Sequence, residues 1–108
     1  GRMREICGAL SGAFLAMGWL YGYEEPGDDG EKAAHYARVQ ELAAAFRERH
    51  GAIQCRELLN HPDTGATPTP RTETFYRDRP CAKLVRDAAA LLERYMEDHP
   101  REGRLDKN

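Results

Sequence analysis

Apolar residues recur at helical spacing in three long stretches of this chain, and no stretch alternates convincingly in the manner of a half-buried strand. In the first, from Arg4 to Tyr21, the residues Ile6, Ala9, Leu10, Ala13, Phe14, Met17, Leu20 and Tyr21 make a wide apolar face. Gly8, Gly12 and Ala16, four apart, make a second face of small residues. Glycine weakens a helix by ~1 kcal/mol relative to alanine. Its repetition makes sense where another backbone approaches closely, either a second copy of the chain or a helix upstream of Gly1. In the second stretch, Gly30 to His50, the stripe is His35, Val39, Leu42, Ala43 and Phe46, with Arg38, Glu41, Arg47 and Glu48 pointing outward. In the third, from about Pro80 to Pro100, it is Cys81, Leu84, Val85, Ala88, Leu92 and Tyr95.

The residues between these stretches are helix boundaries and loops. Pro26-Gly27 marks a turn, and Asp28 followed by Glu31 resembles a capping box that starts the second helix. Gly51 is a natural C-cap for that helix. A short helix is expected from Gln54 to Leu59, ended by Asn60-His61-Pro62-Asp63. The segment Asp63 to Arg79, rich in Thr and Pro, reads as a long loop that Phe75 and Tyr76 pin onto the bundle. Asp78 is the expected cap of the last helix, and Arg101 to Asn108 reads as a polar, frayed tail. The expected fold is all-α, one small helical bundle over residues 1–100. It has three main helices and a short one, with a further N-terminal helix expected upstream of Gly1-Arg2-Met3.

Composition narrows the possible functions. A chain of 108 residues with 41% hydrophobic positions suits one modest core. A net charge of −2 offers no basic stripe for a phosphate backbone, which argues against a nucleic-acid partner. From Ile6 to Tyr23 no residue is charged, but five residues of that run are Gly or Ser. It therefore reads as a buried helix and not as a membrane span.

The candidate chemistry is sulfur. Cys7, Cys55 and Cys81 each fall at or near the first turn of a different expected helix, with Arg4, Arg56 and Arg79 close by. A helix start presents unpaired N–H groups and the positive end of the macrodipole, and both favour a thiolate over a thiol. An odd, widely spaced set with no C-x-x-C pair is not a secreted disulfide framework and points to a reducing cytoplasm. If the three sulfurs converge, they are candidate catalytic thiols and candidate ligands of zinc or an iron–sulfur cluster, with His61 the best candidate for a fourth ligand. His35 reads as a core histidine, and His50 and His99 as helix C-terminal residues. If the sulfurs stay apart, the cysteines are small packing residues and the protein is a helical interaction module, dimerising through its glycine face. A small-molecule or haem pocket with His35 or Tyr36 at its mouth is a third class.

Three stretches of the chain carry a resemblance. They are Ile6-Cys7-Gly8-Ala9-Leu10-Ser11-Gly12-Ala13 with the following Gly18-Trp19-Leu20-Tyr21-Gly22, then Phe46 to Leu59, then Cys81-Ala82-Lys83-Leu84-Val85. In order and spacing they resemble the redox-active family named C_GCAxxG_C_C, for Cys, then G-C-A-x-x-G, then two further cysteines. The resemblance implies that Cys7 is the cysteine beside A-x-x-G and that Cys55 and Cys81 are the two later ones. It further implies a redox role with a partner protein or a small thiol, and by analogy an iron–sulfur or zinc centre. Two features differ from the pattern. The order here is Cys7-Gly8-Ala9, and the family's leading cysteine would fall upstream of Gly1.

Overall fold

In the computed structural model, residues 1–100 are described. The tail expected at Arg101 to Asn108 lies outside the described residues. Five helices follow one another: α1 (Gly8–Tyr21), α2 (Asp29–His50), α3 (Cys55–Leu58), α4 (Glu73–Asp78) and α5 (Cys81–Asp98). Among the described residues no helix is long and apolar enough to cross a membrane.

The core lies where α1, α2 and α5 meet, since α1 packs against both of the others and these touch each other. Leu10 and Met17 of α1 and Phe46 of α2 are fully buried at its centre, and Leu42, Leu84 and Ala88 close around them. Tyr21 fixes the far end. Its hydroxyl donates to the His99 carbonyl at 2.6 Å, its ring meets Tyr95 edge-on, and Arg38 donates to its carbonyl at 3.0 Å. Arg38, expected to point outward, is thus half-buried against α1.

The helix ends follow from local chemistry. Asp28 caps α2 by accepting from the Glu31 N–H at 3.1 Å. Gly51 ends it with φ 84°, a left-handed conformation that glycine adopts without a Cβ clash. The first helix, however, begins at Gly8 and not at Arg4. Ile6 forms an isolated antiparallel bridge with Gln54, and three backbone N–H bonds cross that seam: Cys7 to Ile53, Cys55 to Glu5 and Arg56 to Arg4. Pairing across the chain satisfies groups that helix could otherwise have used.

The segment Asp63 to Arg79 is not wholly irregular. Thr72 caps α4 by accepting from the Phe75 N–H at 3.2 Å. Phe75 lies between the guanidinium groups of Arg71 (4.4 Å) and Arg79 (4.8 Å). Tyr76 is exposed and pins nothing. Asp78 ends α4 instead of capping α5, whose N-cap position is taken by Pro80.

The outward face of α1 is bare. A Cβ at Gly8 or Gly12 would meet nothing within 4 Å, and Leu15 and Trp19 on the same side are 79% and 75% exposed. Among the described residues, then, no backbone approaches Gly8 or Gly12. Trp19 belongs to this bare surface.

Candidate functional site

Three cysteines from three helix starts open on one pocket of about 300 Å³. Cys7 is the N-cap residue of α1, Cys55 the first residue of α3 and Cys81 the first residue of α5. Leu58 and Leu59 supply one wall, Leu84 and Val85 another, and Gly8 and Ala9 complete the lining. The three thiols differ in depth. Cys7 is buried (8% exposed), Cys55 is half-buried and Cys81 is exposed; all are free. Cys81 was expected to face the core with Leu84 and Ala88. It stands at the mouth instead, as the first residue of α5, and Val85 is 57% exposed.

The bridge between Ile6 and Gln54 positions the two deeper cysteines. Flanking backbone bonds make Ile6 and Gln54 the non-hydrogen-bonded pair, so Cys7 lies opposite Ile53 and Cys55 opposite Glu5. Side chains alternate across a strand, which leaves Cys7 and Cys55 on the same face as diagonal neighbours. Neither sequence periodicity nor helix signals could show this contact, because it joins two irregular segments.

Of the three neighbouring arginines, Arg4 reaches a sulfur: its Nη1 lies 4.0 Å from Cys55 Sγ. Its Nε donates to the Asp63 carbonyl at 3.1 Å, and Arg2 pairs with the Asp63 carboxylate at 3.4 Å, so the N-terminal segment straps down the loop after α3. Arg56 is ion-paired with Glu5, and Arg79 lies over the Phe75 ring.

His61 is exposed, with φ 56°, and is absent from the residues lining the pocket. Its neighbour Asn60 also has a positive φ (58°), and together they turn the chain sharply after α3. Among the described residues no group of three or more His, Cys, Asp or Glu side chains is arranged to hold a metal ion. A closed zinc or iron–sulfur site needs four close donors, whereas this pocket offers three thiols at different depths among carbon atoms. The donor set does not fit such a group.

A polar cluster that the sequence did not reveal lies on the α2–α5 seam. Asp87 is a buried carboxylate (8% exposed) facing His50 Nε2 at 3.4 Å, Lys83 Nζ at 3.6 Å and Arg49 Nη2 at 3.7 Å. Burial holds the His50 pKa below the usual histidine value, assisted by Lys83 and Arg49 and opposed by Asp87. The available signal was position. Asp87 falls three residues after Leu84 and four before Leu91, on the inner side of α5.

The model of the family described as "Putative redox-active protein (C_GCAxxG_C_C)" matches residues 1–95. The chain belongs to this family. Neither a curated relative nor a solved structure matches it. Within the C_GCAxxG_C_C chain, the three cysteines that the resemblance singled out are the three that line the pocket. Its match extends over every helix start that carries one.

Proposed function

We propose that Cys7, Cys55 and Cys81 form a thiol–disulfide exchange site. The observation that supports this reading is the shared pocket, with one thiol at its mouth and two deeper. The Cys81 thiolate attacks one sulfur of an incoming disulfide. That S–S bond breaks, and one half leaves as a thiolate that takes up a proton from solvent. The other half stays as a mixed disulfide on Cys81. The Cys55 thiolate then attacks Cys81 Sγ and expels the second half, leaving an internal disulfide. Two cysteine thiols are oxidised by two electrons, and the incoming disulfide is reduced to two thiols. An external dithiol, borne by a partner protein or a small molecule, reverses the change, and a reducing cytoplasm would keep the dithiol form in place. The test is a thiol count with peptide mass mapping after one equivalent of disulfide is added to the reduced chain. Loss of two thiols with a reversible Cys55–Cys81 link is expected. Three thiols still free in folded, disulfide-treated protein would overturn the reading.

A second reading concerns assembly. The bare, uncharged face of α1 carrying Gly8, Gly12, Leu15 and Trp19 favours a homodimer through that helix. Sedimentation equilibrium of the full chain and of Trp19→Glu tests it: a dimer dissociated by the charge supports the reading, and a monomeric parent chain ends it.

A further inference from the structure

We infer that the cysteine pocket selects small, uncharged, apolar disulfides over charged ones. The inference rests on the exchange reading above and names its substrate class. Apart from the three sulfurs, the lining side chains are Leu58, Leu59, Leu84, Val85 and Ala9, with Gly8 between them. None of these side chains is charged or carries an amide or hydroxyl. Of the cations nearest the cysteines, Arg56 binds Glu5, Arg79 covers Phe75 and Lys83 reaches Asp87; Arg4 binds the Asp63 carbonyl through Nε and reaches Cys55 Sγ through Nη1 at 4.0 Å, but is not among the lining residues. A carboxylate or ammonium carried inward would lose its water and gain no lining side chain to replace it. An aryl or short alkyl group would instead bury apolar surface against the leucines.

Size points the same way. A volume of about 300 Å³ lies at the lower end of small-molecule pockets. It holds one ring or a short chain, and is too small for a folded partner's strand. The depth order fits entry of such a molecule. Cys81 and Val85 are exposed at the mouth, whereas Cys7 and Leu84 are buried at the floor (8% and 5% exposed). A disulfide entering ring-first brings its sulfur pair to Cys81 while the ring sits over Leu58 and Leu84.

The experiment compares three reagents on the reduced full chain: 2,2′-dithiodipyridine, which is uncharged; 5,5′-dithiobis(2-nitrobenzoate), a dianion; and cystamine, a dication. Each rate is measured on the folded chain and on the chain unfolded in urea, and the folded-to-unfolded ratio cancels the reagents' intrinsic reactivity. The uncharged reagent's ratio is expected to exceed both others by about tenfold. Val85→Glu, at an exposed position that tolerates polarity, should lower that ratio, and Val85→Lys should raise the dianion's. Equal ratios for all three reagents, each still yielding the internal disulfide, would overturn the selectivity and leave the exchange reading standing. Failure of all three to yield an internal disulfide would overturn the exchange reading and the selectivity with it.

Discussion

Cys7 and Cys55 are diagonal neighbours on one face of a two-residue antiparallel seam, held there by the Cys7 N–H to Ile53 carbonyl bond at 2.8 Å and the Cys55 N–H to Glu5 carbonyl bond at 2.6 Å. In a regular ladder such diagonals are about 7–8 Å apart. Disulfides usually bridge Cα atoms within about 6.8 Å. The seam gathers these two thiols, both of them free, on one face.

Exposure orders the thiols. Timed alkylation of the native chain with iodoacetamide, read by peptide mass, should modify Cys81 first, Cys55 next and Cys7 last. Cys7 should wait for the Ile6–Gln54 seam to open, so mild urea should accelerate its labelling more than that of Cys81. Simultaneous labelling of all three in native buffer would contradict the depth order.

Acid should loosen the α2–α5 seam through His50. Its pKa is lower in the folded chain than in the unfolded one, so the unfolded state binds the proton more readily. That contribution to stability is complete above about pH 6.5, the unfolded value. It declines as the pH falls through that value toward the folded one, and stays constant below. The melting temperature should drop between pH 7 and pH 5, and His50→Gln should flatten the drop. A parent profile and a His50→Gln profile of the same slope would exclude His50 as the titrating group.

Asp87→Ala removes the carboxylate shared by His50, Lys83 and Arg49. Lys83 and Arg49 can turn to water, whereas His50 cannot easily do so. His50 Nε2 and Asp87 Oδ2 are buried without a hydrogen bond, so the loss is of charge attraction alone and should be no more than about 1 kcal/mol. Urea denaturation would show it as a lower midpoint with an unchanged slope.

Gly12 faces open space, so Gly12→Ala should stabilise the isolated chain by about 1 kcal/mol through helix propensity. If α1 dimerises with close backbone approach, the same change should weaken the dimer. Melting curves at low and high protein concentration separate the two effects, because only the second depends on concentration.

Particular residues show how far the sequence could be read. The stripe of Leu10, Ala13 and Met17 placed α1 in the core, and Asp28 and Gly51 bounded α2 within a residue, because caps and periodicity are local properties. The start of α1 was missed because Ile6 pairs with Gln54, far away along the chain. Helix α4 was missed because Pro and Thr dominate its approach; its cap is the single hydroxyl of Thr72. The pocket was legible in part. Spacing singles out all three of its cysteines but places Cys81 inward, whereas it is exposed in the fold.

By itself, the sequence determined the three long helices α1, α2 and α5 and which three residues carry thiols, since both follow from side-chain type and near-neighbour spacing. Tertiary structure alone decided that the thiols share one apolar pocket, the depth of each, and which arginine reaches a sulfur. Those facts depend on the packing of α5 against α1 and on a short backbone pairing between segments some fifty residues apart, and no local pattern encodes either.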